Sequence, residues 1–147
     1  MATLARAVAT LRIIGDSLVP DDVTRALGTS PSASQLKGQE LRGKDGRVRT
    51  AKFGAWRLHA SETSPADLDA QVAEILAKLS SDLRIWSELS AKFDVDLFCG
   101  WFMEKENEGL GVSPQTLRSL GERGIELSLD IYSGDDEAVQ QSSDGAV

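Results

Sequence analysis

Between residues 65 and 92 the apolar side chains Leu68, Val72, Ile75, Leu76, Leu79, Leu83 and Trp86 recur at spacings of three and four. On a helix that spacing draws one apolar stripe, which must lie against a core. Ser64 precedes Pro65, and the pair predicts a capped helix start, because proline suits the first helical position, where its missing N–H has no partner to lose. Ser80-Ser81 interrupts the stripe, and Ser81-Asp82 predicts the cap of a second helix ending near Lys92.

The segments on either side read as strands and short helices. Residues 7–14 alternate, with Ala9, Leu11 and Ile13 on one face and Thr10 and Arg12 on the other. Pro20-Asp21-Asp22 predicts a helix to Leu27, with acids in the first turn favouring the helix dipole and Gly28 as terminator. Gly43-Lys44-Asp45-Gly46 is a reversal signal, so residues 37–52 predict an exposed hairpin or loop. Residues 53–60 and 94–104 read as strands, the first with Trp56 and Leu58 inward, the second with Val95, Leu97, Cys99, Trp101 and Met103 inward. Ser113-Pro114 predicts a helix to Glu122 with Leu117 and Leu120 inward. Beyond Gly124, residues 125–132 alternate throughout, placing Ile125, Leu127, Leu129 and Ile131 together. Two strand–helix–strand halves flank the central helices, with Pro20, Val23 and Ala26 echoed by Pro114, Leu117 and Leu120. The expected fold is α+β, a ferredoxin-like two-layer sandwich from two βαβ halves with extra helix between them. One domain is expected over residues 1–134, followed by a disordered acidic tail at 135–147.

A chain of 147 residues, 41% apolar, can build a core without a metal or a disulfide. Its single cysteine, Cys99, can form no internal bridge, and no segment reads as a signal peptide or membrane span. The expectation is a cytoplasmic protein without membrane association. A net charge of −7 argues against a general nucleic-acid binder. The charge is unevenly placed: seven cations against Glu40 and Asp45 make residues 37–57 +5, leaving −12 elsewhere. The basic arm comprises Lys37, Arg42, Lys44, Arg47, Arg49 and Lys52.

If helices cover the face bearing Leu11, Trp56, Leu97 and Leu129, the other face carries Arg12, Arg57, His59, Asp96, Phe98, Phe102, Glu126, Asp130 and Tyr132. That surface reads either as a solvated sheet with cross-strand ion pairs or as a platform anchored by Phe98, Phe102 and Tyr132. The basic arm reads either as a solvated hairpin or as a grip for a phosphate or an acidic partner. His59, the only histidine, would need Asp130 or Asp96 beside it to act as a general base. No nucleophile-elbow, dinucleotide, Walker or calcium-loop pattern occurs, and one histidine with one cysteine does not make a zinc site. Cys99, set among Leu97 and Trp101, reads as a small buried hydrophobe with a raised pKa. No catalytic residue, metal ligand or cofactor site is assigned.

Leu11-Arg12-Ile13-Ile14-Gly15, Pro20–Leu27 with Gly28, Gly38, Gly54-Ala55-Trp56-Arg57-Leu58 and residues 125–132 together resemble the family called domain of unknown function 4279. The likeness spans residues 7–134 and implies a stand-alone bacterial domain, with no activity, cofactor or catalytic residue to carry over. The expected function is a non-enzymatic interaction domain that buries its open sheet face or arm against a protein partner or a second copy. An immunity-type inhibitor with an acidic body is one version of it. The alternative is a small-ligand sensor or a hydrolytic enzyme using the open face.

Overall fold

The computed structural model describes residues 2–134, so the expected tail at 135–147 lies outside the described residues. The chain runs β1 (Ala2–Thr3), β2 (Arg6–Gly15), α1 (Pro20–Leu27), β3 (Ala33–Gln35), β4 (Glu40–Arg42), β5 (Val48–Thr50), β6 (Gly54–His59), α2 (Leu68–Ala77), α3 (Leu83–Lys92), β7 (Asp94–Phe102), β8 (Glu108–Gly109), α4 (Pro114–Glu122) and β9 (Glu126–Tyr132). Five strands form one sheet in the order β3-β6-β2-β7-β9. β2 is antiparallel to both β6 and β7, β3 is antiparallel to β6, and β7 and β9 are parallel.

Ala9, Leu11 and Ile13 of β2, Trp56 and Leu58 of β6, and Val95, Leu97 and Cys99 of β7 form one apolar face. It is covered by Val23 and Leu27 of α1, Val72 and Ile75 of α2, Trp86 and Leu89 of α3, and Leu120 of α4. The two fully buried indoles find partners, Trp56 Nε1 donating to Thr24 Oγ1 at 3.1 Å and Trp86 Nε1 to the Ser80 carbonyl at 2.7 Å, whereas among the described residues the Nε1 of half-buried Trp101 has none. The second bond closes the turn between α2 and α3. Buried Gln71 of α2 donates Nε2 to the carbonyls of Ala7 (2.9 Å) and Ser61 (3.2 Å), fastening that helix to the sheet.

The α+β class holds, but the connectivity departs from the ferredoxin-like pattern. In a split βαβ fold the two strands of each unit are parallel and separated by a third. Here β2 and β6 are adjacent and antiparallel, while β7 and β9 are adjacent and parallel. The extended run and hairpin between α1 and β6 let the chain return beside β2 in the opposite direction. Two helix boundaries follow local chemistry: Gly28, at φ 82°, donates its N–H to the Thr24 carbonyl at 2.8 Å, and Ser113 Oγ accepts from the Thr116 N–H at 3.1 Å. Asp82 caps α3 as its sequence predicts, accepting from the Arg84 N–H at 2.9 Å.

The start of α2 differs from the expectation. Asp67, not Ser64, is the cap, accepting from the Ala70 N–H at 3.0 Å. The chain bends at Ser64 and Pro65, and Ala66, buried against Leu4 and Ala7 with its N–H donated to the Leu4 carbonyl at 3.0 Å, is held to the strand side, which delays the helix. Four residues expected to face inward are exposed: Leu83 (43%), Leu117 (53%), Leu129 (42%) and Ile131 (55%). Leu83 opens α3 at the rim of the layer. On α4, Thr116 and Leu120 take the inner positions because Asp69 of α2 accepts from the Ser113 N–H and the Thr116 hydroxyl, fixing which side turns inward. Leu129 and Ile131 lie on the edge strand, where the helix layer stops short.

Candidate functional site

Opposite the helices, β2 and β6 place Arg12 and Arg57 directly across from each other, with Thr10 across from His59. On the other side β7 sets Asp96 across from Arg12 and Phe98 across from Thr10. Arg12 donates Nε to Asp96 Oδ1 at 2.8 Å and Nη2 to Oδ2 at 2.6 Å, the paired geometry that fits guanidinium to carboxylate. The same guanidinium lies 4.4 Å from the centre of the Phe98 ring, a cation–π contact. The Asp96 hydrogen bond raises the Arg12 pKa, opposed by burial and assisted by the Asp96 charge.

The basic arm is an ordered hairpin that rises beside this patch. β4 and β5 pair antiparallel, and Gly43 and Arg47 close the turn through a 2.8 Å N–H to carbonyl bond. At its root the Gly38 N–H donates to the Ala51 carbonyl at 2.8 Å, and Gln35 Nε2 to the Phe53 carbonyl at 2.9 Å. The hairpin and the sheet enclose a groove of about 780 Å³. Arg12, Arg57, His59, Thr10 and Phe98 line it from the sheet, Gln35 from β3, and Arg49, Lys52 and Phe53 from the arm. The two stretches that the sequence offers separately, sheet face and arm, therefore meet in one concavity.

Arg12, held by Asp96, is the one groove cation with a carboxylate partner among the described residues. Among the described residues the ion pairs include none with Arg49, Lys52 or Arg57. Burial, then the like charges of Arg12 and Arg49, push the Arg57 guanidinium below its ordinary pKa. His59 shares a 2.9 Å hydrogen bond through Nδ1 with the Thr10 hydroxyl, which directs Nε2 to other partners.

Other predicted site residues lie elsewhere. Phe102 and Tyr132 stack at 5.0 Å, Arg6 sits 3.8 Å from the Phe102 ring centre, and Tyr132 donates its hydroxyl to Asp130. They form a second cluster, toward the β9 edge. Lys37 pairs with Asp16 at 3.0 Å and Arg47 with Asp45 at 3.5 Å, while Arg42 and Lys44 do not line the groove. The general-base arrangement is not assembled. Asp96 is engaged by Arg12, and Asp130 is on β9, three strand spacings from β6, or roughly 14 Å. Gln35 was not singled out by sequence, since β3 carries no periodic signal; Thr10 was placed on the open face beside Arg12 without being named as a site residue, and Arg6 fell just before the strand read at 7–14.

Cys99 is buried, and burial, then Asp96, pushes its thiol up to about 12. Among the described residues no cluster of three or more His, Cys, Asp or Glu side chains is placed to hold a metal ion. No helix among them is long and apolar enough to cross a membrane.

The family model described as "Domain of unknown function (DUF4279)" matches residues 5–134. The chain belongs to this family. Its match takes in every strand of the five-stranded sheet and both walls of the groove. No curated protein and no solved structure matches the chain. One glycine of the matched stretch has a steric reason: Gly54 sits opposite Gly15, and a Cβ there would lie 2.7 Å from the Leu18 carbonyl oxygen and 2.8 Å from that of Gly15. Glycine lets the loop after β2 close onto β6, beside the root of the arm.

Proposed function

We propose that the protein is a non-enzymatic binding domain whose groove between the open sheet face and the β4–β5 arm receives an anionic group. The uncompensated Arg57 guanidinium, facing Arg12 and Arg49, is the observation that supports this reading most directly. An anion set among these cations relieves their mutual repulsion and gains about 4 kcal/mol per unit-charge contact at 4 Å in partly buried surroundings, before desolvation. Arg57 and Arg49 supply planar donor pairs suited to carboxylate or phosphate oxygens, and Lys52 supplies a point charge. Phe98 and Phe53 give the groove apolar ground for the group that carries the anion. An acidic inhibitor of a basic toxin would use the negative surface instead; the concave surface is positive, and this favours an anionic ligand.

The test is a thermal-shift titration of the full chain with inorganic phosphate, pyrophosphate and citrate, against chloride at equal ionic strength. At least one should raise Tm progressively, approaching about 2.7 kcal/mol of stabilisation at a hundredfold excess over Kd. Arg57→Gln combined with Arg49→Gln should remove that shift while leaving the ligand-free Tm within a few degrees. If all three anions behave as chloride does, the reading is wrong.

A further inference from the structure

Along the strands the groove changes character. At the level of Arg12 it is cationic, with Arg57 directly across on β6. Two residues along β2, about 7 Å away, the row is polar and aromatic: His59 on β6, Thr10 on β2 and Phe98 on β7. Thr10 is the small member, flanked by two planar rings carried on strands about 10 Å apart. Both rings are positioned by neighbours. The Thr10 hydroxyl holds His59 Nδ1 at 2.9 Å, and Nε2 has no partner among the described residues. The Arg12 guanidinium lies 4.4 Å from the centre of the half-buried Phe98 ring. A groove of about 780 Å³ is far larger than a lone phosphate or carboxylate group and falls in the range of small organic ligands.

We infer that the groove takes a free nucleotide, its phosphate among Arg57, Arg49 and Lys52 and its base over Phe98 with one edge toward His59 Nε2. This rests on the reading of the groove as an anion site and names the bearer of the anion. The sugar is the spacer that the gap between the two rows calls for. Stacking asks only for ring surface, which Phe98 supplies on the open face, and Arg12 against the same ring adds a cation to the stack. A sugar phosphate would leave the Phe98 ring without a partner in kind, and an aliphatic acid would leave the His59 edge unused. Charge restricts the ligand to a single nucleotide. Outside residues 37–57 the chain carries −12, so a longer strand leaving the groove would run its phosphates over an acidic body.

Calorimetric titration of the full chain should compare the monophosphates of adenosine, guanosine, cytidine and uridine with pyrophosphate and with ribose phosphate, which keeps the phosphate ester and lacks the base. At least one nucleoside monophosphate should bind about tenfold or more tightly than ribose phosphate, the contribution of one stacked base. In Phe98→Leu that ratio should fall to within about threefold. Because both ligands share the phosphate, any disturbance of Arg12 cancels in the ratio. His59→Ala, at an exposed position, should lower the ratio as well, and it carries the test if Phe98→Leu does not fold. Binding of pyrophosphate or ribose phosphate with no nucleoside monophosphate favoured would overturn the inference and leave the anion site standing; no binding by any of them would overturn both. A ratio indifferent to both substitutions, or a single-stranded oligonucleotide bound more tightly than its mononucleotide, would also overturn the inference.

Discussion

Replacing Asp96 by Asn tests how the open face is held and how the groove is charged. The carboxylate accepts two charge-assisted bonds from Arg12, and the two side chains are 30% (Arg12) and 17% (Asp96) exposed. That places the pair between exposed ion pairs, about 0–1 kcal/mol, and fully buried ones, where removing one partner costs about 3–5 kcal/mol. Asparagine keeps one oxygen for Arg12 but turns an NH₂ toward the other guanidinium donor. It also leaves the Arg12 charge unbalanced opposite Arg57, with Cβ atoms about 5 Å apart. The expected loss is about 2 kcal/mol, or roughly 4–8 °C in Tm for a chain of this size. Urea unfolding followed by the fluorescence of buried Trp56 and Trp86 reads it directly, with an unchanged m-value. Asp94→Asn, at an exposed position on the same strand, should stay within about 0.5 kcal/mol. The same change at Asp96 should tighten anion binding, because it removes the one carboxylate paired with a groove cation. An Asp96→Asn protein as stable as wild type would refute the reasoning, because Phe98 and solvent would then suffice to hold the Arg12 guanidinium.

Two further outcomes follow from titratable groups. Hydrogen bonds from the Thr116 hydroxyl and then the Ser113 N–H hold the Asp69 carboxyl below its ordinary pKa. Its contribution to stability is therefore full above the unfolded value, near 3.9, and lost as pH falls through the lower folded value. Urea midpoints taken from neutral to acid pH should fall less steeply in that range for Asp69→Asn than for wild type; equal slopes would contradict the assignment. Cys99, with its thiol raised to about 12, should resist a thiol-specific chromogenic reagent in the native protein at neutral pH and react stoichiometrically in denaturant. Rapid native labelling would mean that the core face of β7 opens.

The parts of the fold legible in sequence are those set by short-range chemistry. Proline at the first position with glycine after the last delimits α1, and Ser113 with Pro114 opens α4, at the expected residues. Alternation likewise tells which residues of β7 and β9 share a face. It does not tell whether that face is covered. Leu129 and Ile131 share the core side with Leu97 yet remain exposed, because coverage depends on the reach of the helix layer. Cap chemistry at 64–67 is degenerate, and the packing of Ala66 on Leu4 decides between Ser64 and Asp67. The strand order was hidden for a similar reason: β3 has three residues and no period, and it takes shape because β6 offers an edge. The groove was half legible. Its cations were all singled out, but their convergence depends on pairing between residues far apart in the chain, such as Arg12 with Arg57 and Thr10 with Phe98.

The two walls of the groove differ in what they owe to the rest of the molecule. Arg12, Arg57 and Phe98 stand on strands whose reverse sides are the core, so a change of backbone there disturbs folding itself. The facing wall is a hairpin whose strands β4 and β5 contribute no residue to either apolar cluster. Its length, charge and tip can drift, or be redesigned, while the floor laid by Arg12, Arg57 and Phe98 stays constant. A chain that changes only this hairpin can therefore reshape the mouth of the groove without reopening the core.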